Sequence, residues 1–312
     1  MPRDNDARTH LQCLDETTGG VTTIFSKKVA DYIASRPNYP AALFDTLADI
    51  GQLTINSTVA DIGAGTGLLT QGLLDRGYHT IAVEPNEPMR AAADHLLGNN
   101  SKYRSVNGSA EATLLPSSSV DLITAAQAFH WFEIEKVLTE CLRVLSPTGQ
   151  VALIWNDRQY ADTLHIALDE LFAEFGGAKR QALVTHEEQR DLSKFFGTST
   201  PLELSWLHEH SLSEPGLASL VFSRSYMPDR ETALGDAVRQ RVADIFSNNC
   251  VNEKVVVRYT TLAIIGRPAD LVDVFGSRDR VLEVIDGKRS IDLTQAEKLS
   301  NRFNLPSKLF LA

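Results

Sequence analysis

VADIGAGTGLLT, residues 59–70, runs from a short apolar stretch through an acid and three alternating glycines into an apolar helical repeat. A strand that feeds a glycine turn and leaves it as a helix is the first half of a βαβ unit. Downstream the alternation continues. HTIAVEP reads as a second strand and NEPMRAAADHLLG as a helix from the N-cap Asn86 to Gly98. KYRSVNG reads as a third strand, SVDLITAAQA as a fourth, EIEKVLTECLRVLS as a helix and QVALIWND as a fifth strand. The runs IAV, DLITAA and VALIW are apolar without alternation, as parallel strands covered on both faces must be. The expected fold is therefore α/β, a Rossmann-like, doubly wound, mostly parallel sheet.

The turn is built to hold a ligand. Gly63, Gly65 and Gly67 permit positive φ and close backbone approach, and the helix expected from about Thr66 offers unpaired N–H groups. A phosphate loop of the GxxxxGK[ST] type is excluded, because no lysine follows. The dinucleotide pattern GxGxxG is met at Gly63 and Gly65, but Leu68 stands where the third glycine belongs. The pattern hhDxGxGxG is met throughout, with Asp61 at the strand end. Seventeen residues past Gly67, AVEPN places Glu84 at the end of the neighbouring strand, where an acid can accept from both hydroxyls of a ribose. Ser109, Ala110 and Glu111 follow the third strand, where they can edge an adenine, and AFHWF (128–132) follows the fourth. All of these positions fall at strand C-termini, the ligand side of an open α/β sheet.

VADIGAGTG, IAVEPNEPMRAAA, GSAEATLLPSSSVDLITAAQAFHWF and ECLRVLSPTGQVALIWNDR together resemble class I S-adenosylmethionine-dependent methyltransferases of the small-molecule, type 11 group. FSKKVADYIASRPNYPAALF resembles the N-terminal helix that covers the cofactor in that group, so the likeness spans roughly residues 24–267. It implies S-adenosyl-L-methionine as cofactor. Asp61 and the turn Gly63, Ala64, Gly65, Thr66, Gly67 then face the methionine moiety, and Glu84 faces the ribose. Asn86 and Met89 flank the adenosine, Ala110 and Glu111 lie near the adenine, and Gln127 faces the sulfonium side. Tyr32, Arg36 and Tyr39 close over the cofactor or meet the substrate, and Trp131 walls the acceptor pocket. His130, at the mouth, is the candidate base.

Methyl transfer from a sulfonium is an in-line displacement, for which alignment alone can be worth about 7–11 kcal/mol. A carboxylate acceptor needs no base, whereas a hydroxyl or amine acceptor can require one. No acid–base pair is therefore demanded, and no metal site is expected. The acceptor is expected to be a small molecule, a carboxylate on family analogy alone.

The remaining chain is less regular. DTLHIALDELFAEFGG reads as an amphipathic helix stopped by glycines, and residues 177–200 as loop. PLELSWLHEHSLS alternates like a half-exposed strand, and 214–249 is helical with Pro215 and Pro228 as breaks. VVVRYTTLAIIGRP reads as a strand joining the same sheet antiparallel, at an edge. The expected division is a polar leader over 1–23, a methyltransferase domain over 24–267 and a tail over 268–312. Within the domain, 57–156 forms the cofactor core and 157–250 the substrate side. In the tail, ADLVDVFG, SRDRVLEVIDGKRS and DLTQAEKLSNRFNLP read as three short helices. They resemble part of an Xre-type helix-turn-helix antitoxin with SRDRVLEVIDGKR as recognition helix. Seven basic residues are balanced there by seven acidic ones, Asp279, Glu283 and Asp286 among them, which is poor for gripping phosphates.

Composition narrows the classes further. A net charge of −10 argues against a protein that mainly binds nucleic acid, so such binding is expected only through 268–312, if at all. No long apolar stretch or signal peptide is visible, and Cys13, Cys141 and Cys250 form no CxxC pair. A cytoplasmic protein without membrane attachment is expected. The residues leave the oligomeric state open. Two other functions compete: a metabolite-sensing helix-turn-helix regulator built on a methyltransferase-like domain, and an NAD-dependent oxidoreductase, which Leu68 disfavours.

Overall fold

Five of the expected strands lie side by side; the apolar runs within 58–62, 79–83, 120–126 and 145–158 are buried on both faces, while Tyr103–Val106 forms an edge with no buried residue. The computed structural model describes residues 28–159, 162–188, 192–197, 200–269, 275, 278–285, 287–303 and 306–311. The polar leader, Cys13 and most of ADLVDVFG lie outside the described residues. The described residues open on α1 (Val29–Ser35), cross the proline-bounded RPNYP segment, and form α2 (Ala41–Gly51). The core then runs β1 (Thr58–Ile62), α3 (Leu68–Asp75), β2 (His79–Val83), α4 (Glu87–Leu97), β3 (Tyr103–Val106) and β4 (Val120–Ala126). A 3-10 turn (Phe129–Trp131), α5 (Ile134–Val144) and β5 (Leu145–Arg158) complete it.

Beyond β5 come α6 (Thr163–Glu188), α7 (Ser193–Phe196), β6 (Leu202–Leu212), α8 (Glu214–Phe222), α9 (Ala233–Asn249) and β7 (Val255–Gly266). Among the described residues, seven strands stand in the order β3-β2-β1-β4-β5-β7-β6. They are parallel from β3 through β5, and β7 and β6 are antiparallel additions. The side-chain alternation of strands divides the core. Val59, Leu122, Ala152 and Ile154 pack under Leu43 and Leu47 of α2 and Leu69 and Leu73 of α3. Ile62, Ile123, Leu153 and Trp155 pack on the opposite side with Val137, Cys141 and Val144 of α5. Burial pushes the Cys141 thiol well above its ordinary pKa, while Cys250 is exposed.

Three expectations need correction. β7 joins the sheet antiparallel but in its interior, with Val151–Arg158 of β5 on one side and all of β6 on the other. The edge is β6, which alternates between exposed and half-exposed from Glu203 to Ser211. Among the described residues of 177–200, those up to Glu188 and Ser193–Phe196 are helical rather than loop. Gly177, at φ 55 and ψ −150, interrupts α6, and AKRQAL, rich in strong helix formers, carries the helix onward to Glu188. α7 then buries Phe195 and Phe196 in the core. Pro215 opens a helix instead of breaking one. It sits in the first turn of α8, where a missing N–H costs nothing, behind the N-cap Ser213.

Helices α6, α8 and α9 build their own cluster, with Phe172, Val221 and Val242, on the Val255–Tyr259 end of β7. In the tail, α10 (Arg278–Ile285) and α11 (Leu293–Phe303) are joined through Gly287 at φ 69 and followed by a 3-10 turn, Ser307–Phe310. Asp292 and Gln295 cap α11 reciprocally, each side chain accepting from the other's backbone N–H. Phe275, Val281 and Leu299 form a small separate cluster there. Among the described residues, no helix is long and apolar enough to cross a membrane.

Candidate functional site

β1 ends at Ile62, and the chain must reverse into α3 within five residues. It does so on glycines in the left-handed region, Gly63 at φ 70, Gly65 at φ 57 and Gly67 at φ 83. Because Gly67 takes that conformation, the helix starts at Leu68, two residues beyond the expected Thr66. The three glycines serve different ends. A Cβ on Gly63 would lie 2.6 Å from the Ala128 Cβ, and one on Gly67 2.6 Å from Leu97 Cδ1, so both are packing requirements. A Cβ on Gly65 would meet nothing within 4 Å. Its bare backbone faces a cleft of about 240 Å³ at the C-terminal ends of β1, β2 and β4.

Glu84, just past β2, is 8% exposed and lines that cleft. One carboxylate oxygen accepts from the Gly65 N–H at 2.8 Å and the other from the Asn86 N–H at 2.8 Å. Burial raises its pKa, and the two amide bonds restrain the rise. Each oxygen keeps a lone pair for a further donor. Asn86 caps α4 as expected, its Oδ1 accepting from the Met89 N–H at 3.0 Å. Met89, Ser109, Ala110, Glu111 and Gln127 also line it, together with Tyr32, Trp131 and Phe132. Gln127 is a non-glycine residue at φ 56, held there by its N–H to Ile154 O (2.9 Å) and its Nε2 to Asn156 O (3.1 Å). Glu111 accepts from the Glu133 N–H at the start of α5.

Other expected site residues lie apart from the cleft lining. Asp61, 1% exposed, points between secondary structures, where it accepts from Thr70 Oγ1 of α3 (2.7 Å) and Thr124 Oγ1 of β4 (2.9 Å). Burial lifts its pKa to about 6, with the two hydroxyls opposing the rise and the Glu84 charge adding to it. Ala64, Thr66 and Gly67 form the back of the turn. His130 sits on the 3-10 turn with its ring 4.9 Å from the Trp131 ring, while Trp131 faces the cleft.

α1 is the cover. Asp31 takes a two-oxygen grip from Arg230, and the buried Lys28 donates to the carbonyls of Phe222 and Met227 at 3.0 Å each. Tyr32 is thereby held over the cleft. Arg36 and Tyr39 line a smaller adjoining space with Asn156, Arg224 and Tyr259. Sequence reasoning missed these last three. Each comes from a different distant segment, and no local pattern marks any of them.

Residues 60–153 match the family model of a methyltransferase domain. An uncharacterized methyltransferase of Mycobacterium tuberculosis is 32% identical over 223 residues, which cover 70% of this chain and 85% of that protein. An uncharacterized methyltransferase of Schizosaccharomyces pombe is 39% identical over 138 residues, 43% of this chain and 53% of that one. The solved structure of a protein described as a type II methyltransferase from Anaeromyxobacter dehalogenans aligns with a TM-score of 0.56. At 22% identity over 74% of this chain and 97% of its own, that likeness speaks for the fold.

Proposed function

This chain belongs to the class I S-adenosylmethionine-dependent methyltransferases, and from that premise we propose that it methylates a small-molecule acceptor, a carboxylate by preference, through positioning rather than acid–base chemistry. The observation that carries the reading is the Gly65–Glu84–Asn86 arrangement at the cleft floor. A glycine with open space where its Cβ would stand fits a ligand pressed against the backbone. A buried carboxylate that keeps a lone pair on each oxygen fits a diol, and the apolar Met89 and Ala110 beside it fit a nucleobase.

S-adenosylmethionine, when bound, supplies a methyl group activated on a sulfonium leaving group. The residues of this chain hold and shield it. Glu84 takes the ribose, Asn86 and Met89 the adenosine, Ala110 and Glu111 the adenine edge. The 63–67 turn faces the methionine portion, and Asp61, through Thr70 and Thr124, ties β1, α3 and β4 together beneath it. Tyr32, Trp131 and Phe132 exclude water from the reacting end, and Gln127 presents its strained backbone there. His130 positions Trp131. In this division of labour residues 57–156 form the cofactor core and 157–250 supply the acceptor side.

Calorimetric titration of the full chain with S-adenosylhomocysteine and, separately, NAD tests the reading. Binding of S-adenosylhomocysteine and silence with NAD is expected. Binding of NAD alone overturns it.

A further inference from the structure

Beyond Tyr32 and Gln127, which it shares with the main cleft, lies a narrow extension of about 10 Å³. Arg36, Tyr39, Asn156, Arg224 and Tyr259 wall it, and no acidic side chain is among its lining residues. Two guanidinium groups therefore face one small space. Arg36 makes no ion pair among the described residues. Its Nη2 donates to Ser223 O at 3.2 Å, its plane lies 4.6 Å over the Tyr32 ring, and its buried Nε has no hydrogen-bond partner. Tyr259 is 2% exposed, and its hydroxyl also lacks a partner. The ring is fixed against His208 in a stack with centroids 5.4 Å apart. β7 register sets Tyr259 between Arg158 of β5 and His208 of β6, so the backbone also holds it.

A buried hydroxyl and a buried guanidinium N–H left without acceptors cost stability. An anion placed among them satisfies all of these groups at once, because a guanidinium fork and a phenol O–H both match a carboxylate. We propose that this extension is the acceptor's anion subsite, holding a carboxylate between Arg36 and Arg224 with the Tyr259 hydroxyl donating to it. The inference rests on the methyl-transfer reading and deepens it by assigning the residues that hold the acceptor's carboxylate.

A carboxylate here has two sources, the acceptor and the amino-acid end of the cofactor. Position favours the acceptor. Tyr259 stands on β7, two strands beyond β4 in the sheet order, roughly 10 Å at the usual strand spacing. Arg224 follows α8, within the region assigned to the acceptor.

The experiment titrates the full chain, saturated with S-adenosylhomocysteine, with succinate and with the uncharged succinamide. The variants Arg224→Gln and Tyr259→Phe are run alongside. Each protein is also titrated with S-adenosylhomocysteine and with 5′-methylthioadenosine, which lacks the carboxylate. Succinate should bind the saturated wild type and succinamide should not. Arg224→Gln should weaken succinate at least tenfold and Tyr259→Phe several-fold, with S-adenosylhomocysteine affinity within twofold of wild type. Tyr259→Phe removes only a hydroxyl without a protein partner, so its Tm should equal or exceed the wild-type value, which a structural role for that hydroxyl would not allow. The proposal fails if succinate does not bind the saturated protein, or if both variants bind it like wild type. It fails equally if Arg224→Gln loses tenfold in S-adenosylhomocysteine affinity while 5′-methylthioadenosine is unaffected, since the carboxylate would then be the cofactor's. Failure of wild type to bind S-adenosylhomocysteine at all would instead strike the methyl-transfer reading itself.

Discussion

Asp61→Asn exchanges a titrating group in the middle of the sheet for a neutral one of the same shape. In the folded chain the Asp61 carboxyl titrates at about 6, against an ordinary 3.8, because it is buried. Below pH 3.8 both folded and unfolded chains carry the proton, and the stability this site contributes is fully present. From there to about pH 6 only the folded chain holds it, so stability falls as pH rises, and above that the loss is complete. A displacement of about two pH units corresponds to roughly 3 kcal/mol at 1.36 kcal/mol per unit. Asparagine cannot ionise, and its carbonyl still accepts from one of the two threonine hydroxyls. Urea unfolding of both proteins at pH 4 and pH 7.5 measures the effect as a difference, in which titrations elsewhere, such as those of Glu140 and Asp162, cancel. Relative to wild type, the variant should gain roughly 2 kcal/mol between the two conditions, because at pH 4 the unfolded aspartate is already more than half ionised. Identical pH dependence in the two proteins would refute the assignment. So would a variant that loses several kcal/mol at both pH values, since the ionised carboxylate would then be holding the sheet together.

Three further outcomes are expected. Glu84→Ala should weaken S-adenosylhomocysteine binding by about 1–3 kcal/mol through lost charge-assisted bonds; an unchanged Kd in calorimetry would mean that the ribose is held elsewhere. Gly67→Ala should destabilise by roughly 2 kcal/mol or more, from left-handed strain plus the approach to Leu97, whereas Gly65→Ala should cost only about 1 kcal/mol and yet impair ligand binding. Thermal unfolding and calorimetry on the pair separate these effects, and equal stability losses would contradict the distinct roles drawn for the two glycines. Val281→Asp should open the small tail cluster of Phe275, Val281 and Leu299 without altering S-adenosylhomocysteine affinity; proteolysis confined to residues beyond 268 with an unchanged Kd is the expected pattern, and a lost affinity would tie the tail to the site.

The parallel core was legible because its signals are local. IAV, DLITAA and VALIW announce two-sided burial, and Asn86 announces its own cap. Glu84 could be found by counting from the turn. The placement of β7 was not legible in the same way. A β-branched run says that a strand exists but not how many neighbours it has, and the better clue lay in β6, whose half-exposed alternation is what an edge looks like. The helix continuing to Glu188 was hidden by Gly177, which does break the helical conformation, but for one residue only. The direction of the Asp61 side chain depends on Thr70 and Thr124, nine and 63 positions away. The meeting of Arg36, Arg224 and Tyr259 depends on tertiary geometry alone, which no spacing rule reaches.

The anchoring of α1 also bears on the order in which the protein is made. The glycine turn, Glu84 and the 108–132 segment emerge early in synthesis, and α1, which brings Tyr32 to their cleft, leaves the ribosome before any of them. Its moorings are the carbonyls of Phe222 and Met227 and the guanidinium of Arg230, nearly two hundred residues further along. Until those have emerged and folded the nascent chain carries the cleft without a fastened α1, so a segment synthesised ahead of the whole site is among the last to settle.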